Sequence, residues 1–438
     1  MIHVLMRYIG IKTKLLKNIR TEVERITPKD GCVLDLFAGS TIVGQSLSDK
    51  YKIYSNDIQR YSYIVGKATL EIDPNFDYGK LSYKLIINSS FYKENYSFLC
   101  DLFKEPLNFE RDLFIKLKGE LNVELLNEFK SYYDNTPYSG HFESNKTHHS
   151  FLKMENIYSI SFYEKAKNSG DYYCLFALNY ACPYFSLQQA IFIDSYKYAI
   201  DKMLKIGRIS SNEYNVYLSM LIYYLGNIVT SVGDHYAQPQ KLKLSNEKRL
   251  RKEVDKIISK KTLDVDICFE SIEREFKKLT YTGFENRMFC EDYKLLFDVK
   301  YSDFMKEVDT IYIDPPYTNA HYSRFYHILE TLVKYDYPEI SFFGRYRSDR
   351  YQSPFCIKTE ALKEFEHMIF LACNVNKNLV ISYSDTSQCI LSKEEITVIC
   401  RKYYKKTEIK EIDYLYRNFG QKPNKVKGNE LLIICEAK

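Results

Sequence analysis

The sequence predicts an α/β fold, a Rossmann-like mixed sheet flanked by helices and interrupted by a large, mainly helical insertion. Three observations carry this. Apolar runs of the kind that fill buried strands stand near the N-terminus, at Cys32-Val33-Leu34-Asp35-Leu36-Phe37 and Lys52-Ile53-Tyr54-Ser55, and resume only after residue 286. The first run breaks at Ala38-Gly39-Ser40 and passes into the helical pattern of Thr41-Ile42-Val43-Gly44. Such a strand-turn-helix joint places backbone N–H groups and a carboxylate at the carboxyl edge of a sheet, where open α/β folds bind ligands. The long block between lacks alternating strands and is rich in Tyr, Lys and Asn. At 438 residues the chain has length for two domains: residues 1–75 with 281–438 as the sheet domain, and 76–280 as the insertion.

Taken in order, the turn after the first strand needs Gly39, and Ser40 or Thr41 is placed to cap the following helix. No G-x-G-x-x-G is present. That argues against a pyrophosphate ligand and for one whose amino and carboxylate ends want an acidic and a neutral partner. The second strand ends in Asn56-Asp57, about 20 residues on, where an acidic side chain commonly takes ribose hydroxyls. Within the insertion, residues 185–204 and 212–225 have helical spacing. The apolar stretch 217–229 is interrupted by Ser219, Gly226 and Asn227 and is too short to span a bilayer. Residues 287–289, 310–313, 378–383 and 430–435 then read as buried strands, residues 322–333 as one helix, and Ser384-Asp385-Thr386 as a polar loop after a strand.

Asp314-Pro315-Pro316-Tyr317 follows directly on the strand at 310–313. Two successive prolines pre-set the backbone and donate no N–H. The Asp314 carboxylate and the Pro315 carbonyl are therefore acceptors free to take the two N–H bonds of an exocyclic amine. Localising that nitrogen's lone pair in line with an electrophile is what methyl transfer to a base requires. Tyr317 offers a flat face on which a base drawn from a duplex can stack. Without companions, the four residues equally describe a Pro-Pro turn after a strand.

Chain-wide properties set limits. The net charge is only +5, so any nucleic-acid surface is local. Eleven cysteines without a C-x-x-C pair read as reduced core residues of a cytoplasmic protein, with no metal and no secretory leader or membrane segment expected. Cys182-Pro183 has the reverse of the Pro-Cys order that a cytosine-C5 nucleophile needs, and reads as a turn.

Four separated pieces, in order, resemble the Dam-like, D12 class of DNA adenine methylases, which use S-adenosylmethionine. Met6-Arg7-Tyr8-Ile9-Gly10-Ile11-Lys12 is similar to that family's N-terminal motif, although Tyr8 stands where another kind of aromatic is common and Ile11 replaces a small residue. Asp35-Leu36-Phe37-Ala38-Gly39-Ser40 resembles its methionine-binding motif and Asn56-Asp57 the ribose-binding acid. Phe289-Cys290-Glu291-Asp292-Tyr293 resembles the segment along the cofactor's adenine, and Asp314 to Tyr317 the catalytic motif. The resemblance implies cofactor contacts from Tyr8, Gly10, Lys12, Asp35, Phe37, Gly39, Asp57, Glu291 and Asp292, and catalysis by Asp314, Pro315, Pro316 and Tyr317. It also implies that the insertion recognises double-stranded DNA, and leaves room for a partner restriction endonuclease. Two basic segments suit phosphates: Lys241-Leu242-Lys243 and Lys248-Arg249-Leu250-Arg251-Lys252 with Lys256, Lys260 and Lys261, and the aromatic-interleaved loop Arg345-Tyr346-Arg347-Ser348-Asp349-Arg350-Tyr351-Gln352, with Arg324 nearby. Each also fits a solvated surface. Cytosine-N4 and RNA-adenine methylation remain open, since Ser or Asn is the commoner first residue there. A catalytically inactive DNA-binding module is the alternative of another class. A fused nuclease would rest on Glu408-Ile409-Lys410, which lacks an upstream acid.

Overall fold

The computed structural model describes residues 12–119, 122–240, 242, 247–417 and 425–437. Its centre is a seven-stranded sheet built from β1 (Cys32–Asp35), β2 (Lys52–Asn56), β3 (Arg287–Phe289), β4 (Thr310–Ile313), β7 (Asn378–Asp385), β8 (Lys406–Arg417) and β9 (Lys425–Glu436), with a two-stranded ribbon of β5 (Ile340–Ser341) and β6 (Tyr346–Arg347) beside it. The order is β3-β2-β1-β4-β7-β9-β8. Strands β3 to β7 run parallel along this order, and β9 joins β7, and β8 joins β9, antiparallel. Strand order reverses between β1 and β4, so the ends of these two strands splay a crevice at the sheet's carboxyl edge. Asp35 pairs in register with Tyr312, which brings Asp35 and Asp314 to that edge together.

Period-two alternation sorts each strand's side chains between two apolar layers. Cys32, Leu34, Ile311, Ile313, Leu379, Ile381, Leu431 and Ile433 point to one layer, against Phe365, Met368 and Ile369 of the helix Ala361–Asn374 and Ile396 and Cys400 of the helix Lys393–Tyr403. Val33, Tyr312, Val380, Leu432 and Ile434 point to the other, where the helix Leu16–Ile26 lays Ile19 and Val23, spaced four apart, across the sheet.

The insertion is helical, its longest members being Leu187–Lys205 and Ser211–Ile228, both opened by capping boxes (Ser186 with Gln189, Ser210 with Glu213). The apolar stretch 217–229 lies in the second of these and is buried in the insertion's core. No helix of the described residues is long and apolar enough to cross a membrane. That core is continuous with the sheet domain: Tyr61, Val65 and Ala68 of the helix Arg60–Thr69 and Ile328, Leu329 and Leu332 of the helix His327–Lys334 belong to the same cluster.

Two local expectations are corrected. Residues 322–333 form two helices, Tyr322–Phe325 and His327–Lys334, because the Phe325 carbonyl accepts the N–H of Tyr236 (2.9 Å) from an insertion loop instead of continuing the ladder. The helix Ile42–Leu47 has Thr41 as its N-cap in the left-handed region (φ 61°), and the Thr41 hydroxyl donates to Ser40 O (2.7 Å) rather than accepting from the helix.

Candidate active site

At the crevice the chain folds back on itself through Gly39 (φ 51°) and Thr41, and a Cβ-bearing residue is disfavoured at the first of these. The turn is clamped from below. Ala38 N–H donates to Asn56 O (2.8 Å), Gly39 N–H to Asp57 Oδ2 (2.9 Å), and Ser62 Oγ to Gly39 O (2.5 Å). Asn56 exchanges two hydrogen bonds with the Glu291 backbone (3.0 and 3.1 Å), which fixes the segment after β3 against the end of β2. The result is a cleft of about 990 Å³, open to solvent, whose walls include Lys12, Asp35, Phe37, Gly39, Asp57, Glu291, Asp292, Asp314 and Pro316. Within it Phe37 meets Tyr293 (5.4 Å between centroids) and Phe355 (5.6 Å).

The cleft is acidic. Asp35 is buried, no side chain of the described residues donates to its carboxylate, and the Gly44 and Phe37 backbone N–H groups act on it without completing a well-formed hydrogen bond. Burial, then the Asp314 and Asp57 carboxylates, hold its pKa well above the usual carboxylate range. Burial likewise pushes Asp57 up to about 6, although the Gln59 and Gly39 N–H groups oppose it. Asp314 also sits at about 6, raised by burial and by Glu430 and lowered by Lys12. Lys12, itself buried, is the cation of this group: Nζ lies 3.1 Å from Asp314 Oδ1 and 2.6 Å from Glu430 Oε1. Ser382 Oγ donates to the same Glu430 oxygen (2.9 Å). Burial works against the charge of Lys12, yet Asp314 and Glu430 keep it protonated, its pKa well above that of a free lysine.

Sequence reasoning missed Glu430, Ser382, His321 and Tyr322 as site residues. Glu430 holds Lys12, Ser382 holds Glu430, and the last two line the cleft, as does Tyr351 of the loop expected to touch DNA. One signal existed: Glu430 opens a wholly apolar strand segment, and a carboxylate there needs a buried partner.

Several expected site residues lie elsewhere. The ring of Tyr317 is no exposed platform: it is buried against Tyr383 (5.6 Å), with Lys12 Nζ 5.4 Å from its centroid. Pro315 is buried, between Asp314 and Pro316, which both line the cleft. Tyr8, Gly10, Lys241 and Lys243 lie outside the described residues, as do the side chains of Lys248 and Arg249. On the basic helix Glu247–Lys261, Arg251, Lys252 and Lys256 are exposed. Lys261 instead points inward, donating to Cys182 O (2.5 Å) and Phe185 O (2.8 Å), and burial lowers its pKa to about 8. Lys260 donates to Val229 O (2.7 Å).

The loop arginines need the clearest correction. Arg345 is buried over the Tyr138 ring (4.4 Å) and donates to the Asn179 and Thr136 carbonyls. Arg347 is 1% exposed and forks between Asp336 (2.7 and 2.8 Å) and Asp349 (2.9 Å on both arms). Their guanidinium groups face the protein's own interior; Arg324 is exposed and Arg350 half-buried. Arg347→Met is accordingly expected to cost about 2 kcal/mol of stability in a urea melt and to leave the salt dependence of DNA binding unchanged. A shallower salt slope at wild-type stability would restore the phosphate-contact reading.

Outside the cleft, Glu128 Oε1 meets His149 Nε2 at 3.0 Å and His148 Nε2 at 3.2 Å. Because Ser150 N–H donates to His148 Nδ1 (3.3 Å), His148 carries its ring proton on Nε2 and donates it to Glu128.

The family model described as D12 class N6 adenine-specific DNA methyltransferase matches residues 8–175 and 269–418. The chain is similar to the type II methyltransferase M.FokI of Planomicrobium okeanokoites, 27% identical over 435 residues, 97% of this chain and 51% of that protein. It is also similar to the modification methylase LlaI of Lactococcus lactis subsp. lactis (25% identical, 97% of this chain and 53% of that protein). A third relative is the modification methylase StsI of Streptococcus sanguinis (24% identical, 99% and 52%). The chain spans about half the length of these curated relatives.

Proposed function

Because the chain belongs to the D12 class N6 adenine-specific DNA methyltransferase family, we propose that it methylates the N6 amine of adenine in double-stranded DNA, with S-adenosylmethionine as donor and a restriction-modification system as its setting. The observation that carries this reading is that Asp314 and the buried Asp35, to which no side chain donates, line one cleft at the carboxyl edge of the sheet.

The residues fit the donor. A buried carboxylate to which no side chain donates, in a cleft where two further acids have raised pKa values, wants a positively charged ligand. Asp35 would take the amino-acid end, Asp57 the ribose hydroxyls, and Glu291 and Asp292 the edge of the adenine. When bound, S-adenosylmethionine supplies a methyl group activated by its sulfonium. The protein's part is positioning: the Asp314 carboxylate and the Pro315 carbonyl accept the two N–H bonds of the target amine and localise its lone pair. The proton lost after transfer leaves to water. Residues 76–280, with the exposed face of the basic helix, serve as the region that selects the DNA site, and a partner endonuclease would cut the unmethylated form.

Incubation of the purified protein with methyl-labelled S-adenosylmethionine and mixed-sequence duplex DNA, followed by nucleoside analysis, is expected to place the label on N6 of adenine. Label on N4 of cytosine, on RNA only, or on neither nucleic acid would overturn the reading.

A further inference from the structure

The β5–β6 ribbon displays two phenylalanines to solvent. Phe342 is 76% and Phe343 55% exposed, at a turn closed by the Arg345 N–H on Phe342 O (2.9 Å). Phe342 is held in the left-handed region (φ 61°), which disfavours a bulky aromatic. The base of the turn is rigid. Tyr184 OH donates to Gly344 O (2.9 Å), Arg345 is sunk against Tyr138, Tyr346 OH donates to Ala237 O, and Arg347 is locked between Asp336 and Asp349. At Gly344 any Cβ would lie 2.4 Å from the Tyr346 ring, so the turn packs down on that ring without room for a side chain. A firmly braced turn thus presents large apolar groups that it does not bury.

The surroundings indicate what covers them. Phe342 contacts the Tyr346 ring (6.5 Å between centroids), and the Arg350 guanidinium lies on that same ring (5.7 Å) with its Nη1 buried and without a hydrogen-bond partner. Arg350 and the exposed Arg324 both act electrostatically on His321, whose side chain lines the cleft, and Tyr351, next in the chain, lines it too. The turn therefore stands beside the cleft mouth, and the groups between are cationic. The exposed Arg324 and the half-buried Arg350 give this rim a positive charge that an apolar partner protein would leave unmatched, whereas duplex DNA offers both phosphates for the cations and a base stack for the rings.

We propose that Phe342 is a wedge that enters the duplex beside the target adenine and fills the stack position that the base vacates on entering the cleft, while Arg324 and Arg350 hold the flanking phosphates. Enzymes that act on a base must unstack it, and an inserted apolar side chain offsets part of that cost. The inference rests on the proposed function and deepens it. Phe343, on the same turn, packs at the duplex surface.

The test uses the full chain and two duplexes carrying the adenine mapped by the labelling experiment. One has thymine opposite that adenine and the other an abasic site, where no base pair has to be broken and the opposite strand leaves no orphaned base for the wedge to support. Phe342→Ala is expected to lower kcat/KM about 30-fold on the paired duplex and only a few-fold on the abasic one, with Phe342→Tyr restoring most of the loss and the melting temperature unchanged. Equal losses on both duplexes, or none on the paired duplex, overturn the wedge; so does a variant that methylates normally but changes the protein's association state, which would assign the turn to a protein contact. A wild-type protein that labels neither duplex overturns the functional reading itself, and the wedge with it.

Discussion

Asp314→Ala is expected to lower kcat for adenine methylation about 10²–10³-fold while the Kd of S-adenosylmethionine changes only a few-fold. The asymmetry follows from what the side chain touches. Asp314 faces the cleft with one oxygen paired to Lys12, and in the proposed reaction the other meets the target amine, so its loss removes an acceptor that matters most as the nitrogen attacks. Folding should survive the change. The Asp314 pKa is raised to about 6, above its ordinary 3.8, so its contribution to stability is present below pH 4 and is lost as pH rises through 6. At pH 7.5 the ionised side chain is a cost to the folded state, and Lys12 keeps Glu430 when it is gone. Single-turnover rates with a melting curve at pH 7.5 decide the matter. A variant within tenfold of wild type would remove Asp314 from the chemistry.

Lys12→Met should produce the second largest effect, and its signature is in the pH profile. Lys12 is the group that lowers the Asp314 pKa, against burial and Glu430, which raise it. Without the ammonium, two carboxylates share a buried space with no cation between them, at a cost of about 3 kcal/mol in stability. Asp314 then ionises only at higher pH. The acidic limb of kcat/KM, which reports the free enzyme and is expected near pH 6, should move up by about one unit, so that activity lost at pH 7 is partly regained at pH 9. Glu430→Gln should move the limb the other way, because Glu430 raises the same pKa. An unshifted limb in both variants would mean that the Lys12 to Glu430 pair is structural support only.

What the sequence revealed and what it hid divide along a physical line. The strands at 32–35, 52–56, 287–289 and 310–313 were legible because burial on both faces makes a strand apolar throughout, and that requirement is local. Asp35, Asp57 and Asp314 were legible as site candidates because Asp35 ends such a strand and the other two follow directly on one. Glu430 was not, since it meets Lys12 across 418 residues through the antiparallel pairing of β7 with β9. The arginines of the 345–350 loop misled for a different reason. Guanidinium groups interleaved with aromatics suit nucleic acid, but a chain with 41 tyrosines supplies the same rings and carbonyls from its own interior. Tyr138 and the carbonyls of Thr136 and Asn179 occupy Arg345 as a base and phosphates would.

The continuous core that joins the insertion to the helices Arg60–Thr69 and His327–Lys334 bears on whether the region proposed to select the DNA site can be exchanged. Residues 76–280 are not a cassette. A graft of that segment from a relative would arrive with its apolar face cut to another pair of helices, leaving Tyr61, Val65, Ile328 and Leu332 against foreign side chains. Both helices adjoin the cleft, the first following Asp57 and the second the Asp314 loop. Misfit in the graft would therefore be paid in catalytic geometry as well as in stability. Exchanges of recognition between such enzymes should succeed only when those two helices travel with the insertion.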